Sequence, residues 1–238
     1  MNRMDIRKGN LLLEFFSEEI PARMQLNSET QLQNLFIKSL AKRDIAFESF
    51  KTYSGPRHLS IIIKNIDLKQ KDQKIEKRGP RFDANQKSID SFLKANQLSL
   101  DETVIKKTKN GKFYFHSQKI KGQNIYDILP EIINEIVYSF VWPKSQRWAN
   151  TDLRWARPLR NILLLLNNDT VKGKINIGKD IFLNFTNFTF SHRHYEKKII
   201  INKIENYEQI LEDNLVILDR NKRLNKIIND ISYLLDKE

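Results

Sequence analysis

The residues able to do chemistry gather first between Trp142 and Leu166, WPKSQRWANTDLRWARPLRNILLLL. This stretch holds all three tryptophans of the chain, with Lys144, Arg147, Arg154, Arg157 and Arg160 around them. Indole rings stack on unpaired bases and guanidinium groups neutralise phosphates, so a basic, aromatic loop suits a nucleic acid. The apolar run Ile162 to Leu166 reads as the buried strand that anchors the loop. Tryptophans at such spacing also serve as core. Burial competes evenly with contact at Trp142 and Trp155, and less so at Trp148, which has Arg147 beside it.

Other candidate chemistry is weaker. Ser17-Glu18-Glu19 offers paired carboxylates, but a serine followed by two acids is also how a helix begins, its dipole favouring negative charge. Of the four histidines, His192 and His194 would share a side if they lay on a strand, a spacing a metal can use. No third ligand of suitable type lies nearby, and Arg193 between them repels a cation. No glycine-rich phosphate loop and no nucleophile elbow is present. No residue is therefore assigned to catalysis and none to a metal.

The whole composition favours binding. The chain has 238 residues, 41 Lys and Arg against 29 Asp and Glu, and a net charge of +12. An excess of this size implies an anionic partner, with nucleic acid foremost, although a drift towards Lys, Asn and Ile contributes to it. With no cysteine there is no disulfide and no thiolate metal site, which fits the cytoplasm. The amino terminus, MNRMDIRKGNLLLEFF, is interrupted by Glu14, is too short to span a bilayer and lacks a signal-peptide cleavage site. No membrane partner is expected.

The elements that must position these residues follow from periodicity. Asn10 to Phe16 is a dense apolar strand. Ser28-x-x-Gln31 has the form of a capping box opening a helix over 29–43. Phe47 to Tyr53 and His58 to Ile66 pair across Ser54-Gly55-Pro56, with Arg57 at the edge. Asp67 to Arg81 carries six basic against three acidic residues and ends in Lys77-Arg78-Gly79-Pro80-Arg81, a phosphate-reaching segment or a solvated loop. Ser88 to Asn96 is a short helix. Thr103 to Ile120 is a hairpin turning at Asn110-Gly111, with Phe113 and Phe115 on one face and Tyr114 and His116 on the other. Asn124 to Phe140 is a helix kinked or restarted at Pro130. After Asn167-Asn168-Asp169, Thr170 to Ile177 returns as a strand beside Ile162 to Leu166. Tyr207 to Leu211 is a short helix and Leu215 to Leu218 a short strand. Asp219 caps a last helix with an apolar stripe of Leu224, Ile227, Ile228, Ile231, Leu234 and Leu235. The fold class is α+β, an antiparallel or mixed β-sheet with hairpins and flanking helices. Two segments are expected: 1–140, an α+β module, and 141–238, a second carrying the tryptophan loop and the last helix.

The order LLLEFFSEEIP, GPRHL, EKRGP, NGKF with KG, WPKSQRW, RWARPLRNILLLL and SHRHY resembles the amino-terminal part of the bacterial glycyl-tRNA synthetase beta subunit, from about Leu11 to Ile227. Each motif is short, but seven in one order is specific. The resemblance implies an α2β2 enzyme that joins glycine to tRNA(Gly) with ATP. The alpha subunit would hold the active site together with ATP and Mg, and the beta subunit would handle tRNA without catalysing the reaction alone or binding a cofactor. It implies the alpha subunit and tRNA(Gly) as partners, and neither DNA nor a membrane. Relatives in the family run to about three times this length, so the chain reads as an amino-terminal piece or a reduced subunit without the anticodon-reading part. SHRHY departs from the pattern, with Ser191 in place of glycine and His194 in place of phenylalanine. Where the residues and the resemblance agree, the expected contacts to RNA or to the partner subunit are Arg57, Arg78, Arg81, Lys144, Arg147, Trp148, Arg157 and Arg193. Arg157 beside Pro158 has a structural alternative, a guanidinium holding loop carbonyls. Two other functional classes fit the same residues: a free-standing RNA-binding module, and a scaffold for subunit assembly that never meets RNA.

Overall fold

A computed structural model describes residues 8–237; the start of the amino-terminal stretch read above, residues 1–7, lies outside them. The elements run β1 (Lys8–Ser17), α1 (Ala22–Lys42), β2 (Ser49–Ser54), β3 (His58–Asp67), β4 (Gln73–Arg81), α2 (Gln86–Asn96), β5 (Thr103–Thr108), β6 (Gly111–Ile120) and α3 (Ile125–Ser139). They continue with β7 (Leu159–Leu166), β8 (Asp169–Thr170), β9 (Lys174–Gly178), β10 (Ile181–Thr186), β11 (Phe188–Phe190), β12 (Lys198–Ile200), α4 (Tyr207–Asp213) and α5 (Arg220–Leu235). The fold is α+β with antiparallel and mixed sheets, as the periodicity predicts.

Two compact units form. One is 1–70 with 123–238 and the other is 71–122, so the division does not fall at residue 140. The reason lies in α3. Its Ile125, Ile128, Leu129, Ile132, Ile133 and Ile136 share one core with Leu11, Leu13 and Phe15 of β1 and with Ile162 and Leu164 of β7, which ties residues after 140 to those near the start.

In the larger unit the strands are ordered β2-β3-β1-β7-β10-β9, with β8 beside β7. The central strand β1 pairs antiparallel on both sides, Leu12 facing Ile62 of β3 and Leu165 of β7. Its apolar run is continuous because both faces are covered. Leu11, Leu13 and Phe15 point into the layer with α1 and α3. Leu12, Leu163 and Leu165 point into a smaller core with Ile199, Ile201, Tyr207, Leu211 and Leu218. The expected β2–β3 hairpin is present, Thr52 facing Ile61. Arg43 at the end of α1 forks onto Glu135 of α3, with Nη1 and Nη2 at 3.1 and 2.7 Å from its two oxygens. That pair holds the Glu135 carboxyl below the usual range.

Some local expectations change. Helix α1 starts at Ala22 after Pro21, so Ser28 lies inside it and its hydroxyl donates to the Gln25 carbonyl; no capping box opens a helix there. The segment 174–178 does not pair with β7. Gly173, at φ +158, turns the chain away after buried Val171, and β10 inserts parallel to β7 with β9 on its outer edge. Helix α3 runs continuously through Pro130. Leu215 to Leu218 forms no strand. Asp219 does cap α5, accepting from the Lys222 amide at 2.9 Å. The α5 stripe is open to solvent, from Ile228 at 51% to Leu235 at 67% exposed.

The smaller unit is a three-stranded antiparallel sheet, β4-β6-β5, with α2. Its hairpin turns one residue earlier than Asn110-Gly111 implies. Thr108 pairs with Gly111, leaving Lys109 and Asn110 as the turn, and Gly111 adopts φ +120. Among the described residues no helix is long and apolar enough to cross a membrane.

A candidate nucleic-acid interface

The tryptophan loop is built from the core outward. Trp155 is fully buried and Trp142 nearly so. Trp155 meets Phe140, Trp142 and Phe15 at centroid distances of 4.8, 4.9 and 5.6 Å. Two of the three indoles therefore fasten the loop to the sheet and offer no face to a base. Trp148 is half-buried, packed at the margin of the same core.

Between these anchors the backbone folds on itself. The amide of Gln146 donates to the Trp155 carbonyl at 2.9 Å and is answered at 3.2 Å. Thr151 closes a tight turn, its hydroxyl donating to the Trp148 carbonyl at 2.6 Å, with Ala149 at φ 47. Asp152 and Leu153 amides both donate to the Ile177 carbonyl, at 2.7 and 3.1 Å. The loop approaches β9 so closely that a Cβ on Gly178 would lie 2.6 Å from the Asn150 carbonyl oxygen and 2.7 Å from Thr151 Cα. Both atoms are backbone, so only a shift of the loop makes room. Gly178→Ala is expected to cost roughly 1–3 kcal/mol by overpacking and to move the Trp148 turn. A lowered thermal midpoint with altered tryptophan fluorescence checks it.

Outward-facing cations decorate this frame. Lys144 and Arg147 are exposed and form no salt bridge or side-chain hydrogen bond among the described residues. Arg157 reaches only the Gln146 side-chain oxygen, at 3.4 Å. Arg154 rests on Ser145 at 3.2 Å, and Arg160 pairs with Glu18 at 2.9 Å. Lys144, Arg147, Trp148 and Arg157 thus share one ordered loop.

Arg57 and Arg193 occupy a different environment. Arg57 is 7% exposed. It donates to the Ser17 carbonyl at 3.3 Å, lies 3.5 Å from both Glu18 and Glu196, and covers the Phe16 ring at 4.6 Å. Arg193 pairs with Glu19, which lowers the Glu19 carboxyl and raises the guanidinium. With Arg157 these side chains line a cleft of about 430 Å³ in which three arginines face Glu18, Glu19 and Glu196. Its acids are already engaged by Arg57, Arg160 and Arg193, which leaves Arg157 as the one lining arginine without a salt bridge among the described residues. Glu18 and Glu19 here are acceptors for arginines, and no helix begins at Ser17.

Arg78 and Arg81 belong to the smaller unit. Arg78 lies 3.6 Å over the Phe113 ring, and Arg81 pairs with Asp83 at 3.3 Å. His192 and His194 sit in a loop with ring centroids 5.1 Å apart. Among the described residues no group of three His, Cys, Asp or Glu side chains could hold a metal.

Sequence reasoning passed over one polar cluster. Glu14, fully buried in β1, accepts from the Thr189 hydroxyl and the Tyr207 hydroxyl, and its Oε2 lies 2.9 Å from His58 Nδ1. The signal was a lone acid inside an apolar strand, a placement that demands partners.

The architecture so described is an α+β protein with exposed cations gathered on one ordered loop. A family model for the glycyl-tRNA synthetase beta subunit matches residues 11–238, and the chain belongs to that family. It is 36% identical over 216 residues to the glycine–tRNA ligase beta subunit of Rickettsia bellii (strain OSU 85-389), covering 90% of this chain and 32% of that protein. The namesake proteins of Rickettsia felis and Rickettsia canadensis are 35% and 36% identical with the same coverage. The chain thus spans about a third of the length of the relatives it matches.

Proposed function

We propose that this chain is the amino-terminal, non-catalytic part of the beta subunit of glycyl-tRNA synthetase, acting in the cytoplasm in the ligation of glycine to tRNA(Gly). It binds no cofactor of its own. ATP and Mg belong to the active site of the alpha subunit, with which it assembles. Its own contribution is to hold tRNA.

One observation carries the RNA part of this reading. Lys144 and Arg147 stand exposed and, among the described residues, unpaired on a loop fixed to the sheet through Trp142 and Trp155, with Arg157 nearly as free. Cations held in place without internal acids are ready to neutralise phosphates, whereas Arg57 and Arg193 already have partners and shape the neighbouring cleft.

Binding to a tRNA(Gly) transcript, titrated against salt, tests it. Replacing Arg147 and Arg157 by alanine is expected to weaken binding and to flatten the log K against log salt slope by about 0.7–0.9 per lost phosphate contact. A salt slope already flat in the unaltered chain overturns the RNA role and leaves a scaffold. Failure to co-purify with an alpha subunit overturns assembly and leaves a free-standing RNA-binding module.

A further inference from the structure

The unit 71–122 concentrates charge without an internal use for it. It holds thirteen Lys and Arg against six Asp and Glu, a net of +7 out of +12 for the whole chain. Its register sets lysine directly opposite lysine twice, Lys74 facing Lys119 on β4 and β6 and Lys107 facing Lys112 on β5 and β6. Like charges in direct cross-strand pairs destabilise a sheet. Among the described residues only Lys119 of the four forms a salt bridge, with Asp72 at 3.1 Å; Lys74 feels Glu76 without contact, and Lys107 and Lys112 have no acid partner there. A small sheet that tolerates such pairs is arranged for something other than its own stability.

The two faces differ. Helix α2 covers the face bearing Tyr114: Lys77 Nζ reaches Asn96 at 3.1 Å, and Gly79 leaves room for the Phe92 ring, which a Cβ would meet at 2.8 Å. The opposite face carries Phe113, Phe115, Val104, Arg78, Lys106, Lys74 and Lys119 by strand alternation, with one acid, Glu76, paired to Lys106. Phe113 is buried beneath Arg78, but the rest of this face is open, Val104 being 59% exposed, with Lys106 over the Phe115 ring. From Phe113 to Lys119 this face runs about 20 Å along the strand. Lys107 and Lys112 alternate onto the Tyr114 side and, exposed together with Lys109, carry the charge around the hairpin tip.

We propose that the open face of β4-β6-β5 and its hairpin tip form a second RNA-binding surface, gripping backbone phosphates without regard to base sequence. The inference rests on the RNA role proposed above and assigns a separate surface to it. The occupant is a polyanion because cations outnumber acids across this face and tip: Lys106 and Lys119 pair with Glu76 and Asp72, while Lys74, Arg78, Lys107, Lys109 and Lys112 form no salt bridge among the described residues.

The test uses the full chain with Lys74→Gln and Lys107→Gln combined. Each substitution removes a repulsive pair, so the thermal midpoint is expected to hold or rise. Affinity for a tRNA(Gly) transcript and for polyuridylate is expected to fall together, by about tenfold, with the salt slope shallower by about 1.5. Opposite signs for stability and binding are the signature, since lysines retained for the fold would lower the midpoint, and that result overturns the proposal. Unchanged RNA affinity also overturns it and turns attention to an acidic protein surface as occupant. Arg147→Gln serves as the comparison. If it weakens RNA binding while the lysine pair does not, the tryptophan loop keeps its role and only this second surface fails. If neither changes a flat salt slope, both readings fail.

Discussion

Trp155→Ala is expected to destabilise the protein by about 3–5 kcal/mol, the range for removing a buried indole. Its ring is fully buried where Phe15 of the central strand, Phe140 after α3 and Trp142 converge. Deletion empties a space bounded by three other rings, each held by its own strand or helix connection, so collapse into the cavity is limited and the cavity penalty remains. Trp148→Ala is expected to cost much less, because that ring only rests against the margin of the same core. Urea denaturation separates the two: a large fall in midpoint at constant m for Trp155→Ala, a small one for Trp148→Ala. Equal costs would show that the loop is not anchored as described. The functional readout should run the other way, with RNA affinity per folded molecule more sensitive to Trp148 than to Trp155.

This division of labour among identical side chains shows where sequence reading stops. Composition places Arg beside Trp throughout 142–160, yet alternation and turns decide which points inward. Trp155 goes in while Arg154 and Arg157 go out. The strands β1 and β7 were legible because burial on both faces leaves an unbroken apolar run. Strand β4, QKIEKRGPR, was read only as a charged segment. Nearly all of it is exposed, and pairing with β6 rather than burial makes it a strand. The serine and glutamine spaced as a capping box misled because α1 had already begun at Ala22. Periodicity found the α5 stripe, but periodicity cannot say whether a stripe is covered, and here it is exposed. At the candidate interface, residue type singles out the arginines only as a group. Separating free Arg147 from Arg57, which lies between Glu18 and Glu196, required contacts between residues far apart in the chain.

The buried carboxylate of Glu14 leads to the other large effect. Glu14→Leu is expected to cost on the order of 3–5 kcal/mol, as when one partner of a buried charged network is removed. It leaves the hydroxyls of Thr189 and Tyr207 and the ring nitrogen of His58 without an acceptor, in the layer that fastens β11 and α4 to the central sheet. The penalty comes from stranded donors rather than lost attraction, so removing donors as well should recover stability. Adding Tyr207→Phe and Thr189→Val to Glu14→Leu is expected to regain part of the loss. No recovery would mean that Glu14 acts through packing alone. A pH dependence follows from the same contact. Burial first, and the Glu14 charge second, push the Tyr207 hydroxyl well above its ordinary value of 10.0. The folded chain keeps this proton where the unfolded chain releases it. The stabilisation is therefore complete below pH 10 and is lost as pH rises beyond it. Tyr53, also raised chiefly by burial, acts in the same direction. Tyr207→Phe should lower stability at neutral pH, where a hydrogen bond to Glu14 disappears, yet flatten the alkaline decline because one of the raised hydroxyls is gone; Tyr53, Tyr126 and Tyr138 keep the remainder. Denaturation midpoints measured from pH 7 to 11 would show the two curves converging, and parallel curves would place the alkaline sensitivity elsewhere.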